Sequence, residues 1–158
     1  MIDERAAKDF LALGRLAVVG VSADPQQFGN VVYKALKEHG VDVVPVHPSD
    51  LTVAGDTVFP DVGAVPGPVD GVIVMVPGEA AVTVVRACAD RGVLHVWLFK
   101  GLGGPGAVSD AAVGECERQG ISVVPGACPL MFLEPVGMVH RIHRAARRAN
   151  RSLTRTAA

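Results

Sequence analysis

Gly20, Ser22, Phe28, Gly29 and Asn30 form the stretch of this sequence best placed for chemistry, as candidates for a phosphate-binding loop. A serine hydroxyl can donate to a phosphate oxygen, and glycines let backbone amides come close to one. The backbone N–H groups of Gly29 and Asn30 are expected to bind it at a helix start. The stretch lies between an apolar run at 16–19 and a helical pattern in which Val32, Leu36 and His39 precede Gly40. Strand, glycine turn and helix make the first half of a nucleotide-binding unit, because a helix start has unpaired N–H groups and the positive end of a dipole. A plain turn with a helix cap is the other use of the same residues.

The spacing departs from the dinucleotide fingerprint. G-x-G-x-x-G places three glycines in six positions, with an acidic residue after the second strand to hold a ribose. Here Ser22 stands where the second glycine would be, and the next glycine is Gly29. The second strand, 41–46, ends in His47 and Pro48. A long loop without a ribose acid argues against ordinary NAD binding but leaves a phosphate-bearing ligand open.

Covalent chemistry has less support. Cys88, Cys116 and Cys128 show no CxxC and no metal-ligand spacing. Cys88 and Cys116 fall on apolar helical faces and are expected in the core. Cys128 precedes Pro129 with no histidine close in sequence to act as base. His140 and His143 could share a helix face but lack an obvious third metal ligand. No catalytic residue and no metal site is therefore expected.

A length of 158 residues implies one domain. Aromatics are only 4% of the chain, which suits a core of slim Val, Ala and Gly side chains. Mean hydropathy is +0.35, yet no apolar run approaches the roughly 18 residues of a membrane span. Asp3 and Glu4 sit where a signal peptide would be basic, so a cytoplasmic location is expected. Charge is uneven: six arginines (141, 144, 147, 148, 151 and 155) and no acid follow Glu134. A nucleic-acid role for that tail is disfavoured, because no aromatics are interleaved for stacking.

The elements that must position these residues alternate. An amphipathic helix over 2–13 is expected to cap the sheet, followed by strands at 16–19 and 41–46, the second interrupted awkwardly by Pro45. After a loop-rich segment, 49–68, with a short edge strand at 57–59, strands are expected at 71–76, 94–99 and 121–124. Helices run over 79–90 and from about 108 to 116 between them. Alternation of this kind predicts an α/β fold: a Rossmann-like, doubly wound, mainly parallel sheet of five to six strands in three α/β/α layers. Gly20, Ser22, His47, Pro48, Val76, Pro77, Lys100 and Gly101 then fall at carboxyl ends of strands, where such sheets bind ligands. Lys100 could neutralise a phosphate there, Pro77 could equally just start a helix, and His47 could be a plain loop residue.

Several segments together resemble the CoA-binding domain family, small proteins similar to the CoA-binding half of the succinyl-CoA synthetase α subunit. They are Val-Val-Gly-Val-Ser at 18–22, Val-Pro-Val-His-Pro at 44–48, Met-Val-Pro at 75–77, Phe-Lys-Gly at 99–101 and Ala-Cys-Pro at 127–129. The resemblance implies coenzyme A or an acyl-CoA as ligand, with Val76 and Pro77 against its adenine or pantetheine part and Cys128 near the pantetheine sulfur. It divides the chain into a binding domain, 1–135, and a basic helix and tail, 136–158. The related synthetases use a phosphorylated histidine and a partner subunit, so a binding protein without its own turnover is expected. An NAD(P)-binding module or oxidoreductase is one alternative, and an interaction protein acting through the arginine tail is another. A homodimer stays open. A bulky residue at Gly20 is expected to block the ligand and leave the fold intact.

Overall fold

The computed structural model describes residues 2–133. The helical pattern over 136–150, the six tail arginines, His140 and His143 lie outside the described residues. In chain order the elements are α1 (Glu4–Leu11), β1 (Arg15–Val19), α2 (Phe28–Glu38), β2 (Asp42–Val46), β3 (Thr52–Val53), β4 (Asp56–Thr57), β5 (Gly71–Val74), α3 (Gly78–Arg91), β6 (His95–Leu98), α4 (Asp110–Arg118) and β7 (Ser122–Pro125). Short 3-10 turns occupy Val62–Ala64 and Pro129–Phe132.

Uninterrupted β-branched and apolar residues make the central strands, because a parallel strand is covered on both faces. Their side chains alternate between two cores. Ala17, Val19, Val72, Val74, Val96 and Leu98 face the layer that holds Ala81, Val85, Cys88, Ala112 and Cys116 of α3 and α4. Leu16, Val18, Ile73, Trp97 and Val124 face the layer of α1 and α2, against Phe10, Val32, Tyr33 and Leu36. Cys88 and Cys116 are thus core residues, with thiols pushed up by burial to about 12 and about 11. The five main strands are all parallel in the order β2-β1-β5-β6-β7. Strand order reverses between β1 and β5, which leave in opposite directions from the middle of the sheet.

Both sheet edges are blunted, and this accounts for Pro45. On the outer side of β2, the Phe59 N–H donates to Pro45 O at 3.0 Å and the His47 N–H to Phe59 O at 2.9 Å. Pro45 therefore faces outward, where its missing N–H costs no ladder bond. The Tyr33 hydroxyl covers the next outward carbonyl, lying 3.3 Å from Val43 O while donating to Asp56 at 2.5 Å. At the other edge, Ser122 N–H bonds Leu94 O and Gly126 N–H bonds Leu98 O. Pro125 thus points outward as well. Of the expected strand at 57–59, Thr57 belongs to the β3–β4 hairpin and Phe59 makes a single bridge to Val46. That hairpin turns on Ala54 and Gly55, both at positive φ, as a two-residue turn between strands requires.

The helices have local causes. Asp3 caps α1 and Ser109 caps α4 through their side chains. At the end of α3, Arg91 donates to Val62 O and Gly63 O, each at 2.8 Å, and also to Gly67 O, tying down the glycine- and proline-rich loop. Across α3 and α4, the buried Glu115 carboxylate accepts from Gln119 (2.9 Å), Arg118 (2.7 Å) and Arg86 (3.4 Å). The Gln119 amide and Arg118 guanidinium hold its carboxyl down at about 2.

Two outcomes follow. Trp97 is fully buried, packs edge-on against Phe10 with ring centroids 5.5 Å apart, and donates to Gly126 O at 2.9 Å. Trp97→Phe leaves a void and takes the indole donor from Gly126 O, so urea unfolding should show a loss of about 2–4 kcal/mol at unchanged slope. Because the folded Glu115 carboxyl titrates below an ordinary glutamate's 4.5, its contribution is complete above that pH and fades as pH falls toward about 2. Melting scans over that window should show a steeper acid loss for the wild type than for Glu115→Gln.

Candidate functional site

The carboxyl ends of β1 and β5 meet so closely that only backbone fits between them. Met75 N–H bonds Val19 O at 2.7 Å, one step beyond the strands. Gly20 follows at φ +127, and a Cβ there would lie 2.6 Å from Met75 Cβ and 3.1 Å from Met75 backbone carbon. A bulky residue at Gly20 therefore disturbs this junction itself, contrary to the expectation of an intact fold. Gly29, in the first turn of α2, is tighter still: its Cβ would stand 2.0 Å from Gly20 O. It takes the part that the third glycine of a dinucleotide fingerprint plays, close packing of helix on strand. The start of α2 is thereby pressed against the end of β1.

The intervening loop is folded on itself. Ser22 Oγ accepts from Asp24 N–H at 3.1 Å, and Asp24 Oδ1 accepts from Gln26 N–H at 2.9 Å. The Ser22 hydroxyl proton remains a donor. Asn30 is buried, and its side chain takes both backbone groups of Ser22: Ser22 N–H donates to Oδ1 at 2.7 Å, and Nδ2 donates to Ser22 O at 2.8 Å. Contrary to expectation the Asn30 backbone N–H is not free for a phosphate: it donates to Gln27 O at 3.0 Å, as does Val31 N–H at 3.2 Å. Phe28 is 49% exposed and lies against Phe99 at the end of β6, with ring centroids 5.5 Å apart.

Around this junction, Phe99 N–H bonds Val74 O at 3.0 Å, continuing the β5–β6 ladder past the strands. Lys100 is exposed, and its backbone N–H reaches Ala127 O at 3.2 Å. Gly101 stands where a Cβ would be 3.0 Å from the Phe99 ring, and at Gly106 one would be 2.3 Å from Phe99 O. Val76 is half-buried against the core, and Pro77 is the exposed residue immediately before α3. His47 and Pro48 follow β2 on the far side of β1; Nδ1 of His47 accepts from Ser49 N–H at 3.0 Å, leaving Nε2 as donor of the neutral ring. Contacts thus join Gly20, Ser22, Phe28, Gly29, Asn30, Lys100 and Gly101 through Met75 and Phe99, whereas His47 is tied to Phe59.

Cys128 is half-buried and its thiol is raised by desolvation, so it is protonated at neutral pH rather than an activated thiolate. It follows a strained turn. Ala127 has φ 56, unusual for a residue with a side chain, and its carbonyl accepts from Trp97 at 3.2 Å as well as from Lys100. Among the described residues no group of three or more metal-ligating side chains converges. A cleft of about 920 Å³ runs along the outer edge of β2. Its charges are paired internally, Arg15 with Asp42 at 3.7 Å and Lys37 with Asp56 at 2.8 Å. The reading of residue types alone missed the Asn30 clamp and the Gly106 approach; the only signal was an amide side chain and a glycine next to a suspected loop.

A parallel sheet whose order reverses at a glycine-built strand–helix junction defines a Rossmann-like class of α/β domain. Residues 14–134 match the profile of the CoA binding domain, and the chain belongs to that family. It is 37% identical over 82 residues to the α subunit of acetate–CoA ligase [ADP-forming] II of Pyrococcus furiosus, covering 51% of this chain and 18% of that one. To acetate–CoA ligase [ADP-forming] I of Archaeoglobus fulgidus it is 28% identical, covering 83% and 20%. The chain thus spans about a fifth of the length of these curated ligases. A hypothetical protein from Pyrococcus horikoshii superposes with a TM-score of 0.74 at 25% identity, covering 83% of this chain and 89% of its own. A dinucleotide-forming acetyl-coenzyme A synthetase of Ca. Korarchaeum cryptofilum shares the fold with a TM-score of 0.62, covering 73% and 26%.

The glycine contacts can be tested directly. Gly29→Ala drives a methyl into Gly20 O and should cost about 3 kcal/mol or more, the upper end for overpacking. Gly104→Ala meets nothing within 4 Å and should shift stability by no more than about 0.5 kcal/mol. Thermal and urea unfolding of the two variants measure both.

Proposed function

We propose that this chain binds coenzyme A or an acyl-CoA at the carboxyl edge of the sheet, beside the β1–β5 reversal, and does so without turnover of its own. The observation that carries the reading is the state of the two helices that start at the reversal. Neither α2 nor α3 has a side-chain cap, whereas α1 and α4 are capped by Asp3 and Ser109. Uncapped first-turn amides beside a glycine-built junction suit a diphosphate, which can take those N–H groups and the helix dipole. The Ser22 hydroxyl and the Lys100 ammonium add a donor and a charge. Val76, Pro77 and Phe28 offer apolar surface for the pantetheine or adenine part. Family membership supports the choice of CoA among phosphate-bearing ligands. The two ligases are named for acetate and CoA, but the matched part of this chain covers only about a fifth of each, and burial raises the Cys128 thiol rather than activating it.

Binding of NAD has less support, since His47 and Pro48 stand where a ribose-binding acid belongs. Among the described residues no helix is long and apolar enough to cross a membrane. Prolines on both sheet edges argue against a dimer made by strand pairing, so a homodimer would use a helical face.

Native mass spectrometry of the purified chain, then calorimetric titration with CoA, acetyl-CoA, NAD and NADP, tests the proposal. Saturable binding of CoA or acetyl-CoA and none of NAD is expected. Lys100→Ala and Ser22→Ala should each weaken CoA about three- to tenfold, the size of one hydrogen bond to a charged group, with melting temperature nearly unchanged. Binding of NAD in place of CoA, or CoA binding indifferent to both substitutions, overturns it.

A further inference from the structure

We infer that Asn30 is a positioning residue for the phosphates of the ligand, an inference that rests on the CoA reading above. Its carboxamide is only 7% exposed and spans eight residues of chain to hold both backbone groups of Ser22. The other side-chain ties within the loop are local, each bridging two residues. They shape short turns but do not set where the loop stands relative to α2; Asn30 does.

The chemistry of this contact bears on an anion. A backbone carbonyl pointing at a phosphate would repel it, and Asn30 Nδ2 occupies the Ser22 carbonyl. Oδ1 occupies the Ser22 N–H, so of that residue's polar groups only the hydroxyl is left to meet a ligand. Orientation of Ser22 Oγ and concealment of Ser22 O thus come from one side chain on the helix whose first turn bears the uncapped amides. The position calls for an amide, not an acid. An ionised aspartate could accept from Ser22 N–H but would face Ser22 O with a second oxygen and bring a negative charge beside the phosphates. A protonated aspartic acid is close in shape to the amide and restores both bonds.

The test uses the full-length chain, with CoA as probe, and two variants. In Asn30→Ala the Ser22 amide should exchange its hydrogen at least about tenfold faster and CoA should dissociate about tenfold more readily, as expected when one or two hydrogen bonds are lost. Asn30→Asp should bind CoA poorly at about pH 8 and recover toward the wild type measured alongside it at about pH 5, as the carboxyl gains a proton. The charged neighbours on the loop and α2, Asp24 and Lys34, are exposed and identical in all three chains. The 3-10 turn packed on α2, Pro129–Phe132, has no ionisable side chain, and Cys128 just before it is common to all three. The ratio of variant to wild-type affinity therefore reports residue 30. A folded Asn30→Ala chain with wild-type CoA affinity, or an Asn30→Asp ratio that does not change with pH, overturns the inference. If Asn30→Ala does not fold, the Asn30→Asp ratio decides. If the wild type itself takes up no CoA, the CoA reading falls and this inference with it, whereas CoA binding by the wild type with indifferent variants removes Asn30's role alone.

Discussion

The approach of three backbone segments at Gly20 is the constraint on which the rest of this structure depends. Met75 closes on it from β5, and Gly29 closes on its carbonyl from α2. Neither contact leaves room for a side chain, so strand and helix can meet only where glycines stand. With that meeting point fixed, the chain between 20 and 29 has no direct path and must fold into the compact loop that Ser22, Asp24 and Asn30 hold. The first turn of α2 starts after Gln27, whose side chain makes no cap. The geometry that packs the domain is the geometry that leaves amides available.

The sheet around this point is finite by construction. Pro45 on β2 and Pro125 on β7 both face outward, where a missing N–H weakens nothing inside and offers nothing to a further strand. Among the described residues the order reversal is where the strands part at the carboxyl edge of this sheet. Trp97 links that interior to the site. From the fully buried core it bonds the carbonyls of Gly126 and Ala127, and Ala127 in turn receives Lys100. Strain at Ala127 is therefore held by the core rather than by the loop that displays it.

What could be read from the sequence follows the range of the interactions. Buried strands announced themselves as runs such as 71–74, because burial on both faces selects apolar residues regardless of their neighbours. Gly40 and Gly92 were legible as helix stops for the same local reason, each at positive φ after the last turn. Pro45 was read as a defect because its cost depends on which side of the strand it faces, and that is set by Phe59, fourteen residues on. Residues Phe28, Gly29 and Asn30 were legible as a group, but not the division of labour among them: Gly29 yields space, Phe28 reaches Phe99 and Asn30 turns back to Ser22. A side-chain amide that satisfies a backbone eight residues away leaves no periodic trace.

Electrostatics at the carboxyl edge set the terms for any phosphate ligand. Among the described residues that follow the strands there, Asp24, Asp50, Glu79 and Asp110 are acidic and Lys100 is the single lysine or arginine. A ligand with several phosphate charges is thus not received by a cluster of cations on this part of the chain. On the CoA reading proposed above, peptide N–H groups and the dipoles of α2 and α3 would do most of that work. Fixed dipoles suit the task, because their orientation is set on folding and need not be reorganised when the anion arrives. The cost is geometric: amides act over a few ångströms, so a small shift of the loop forfeits the contact where a long lysine would follow. A site built this way depends on whatever holds its backbone still, which places Gly29 and Asn30 ahead of any charged residue in this domain.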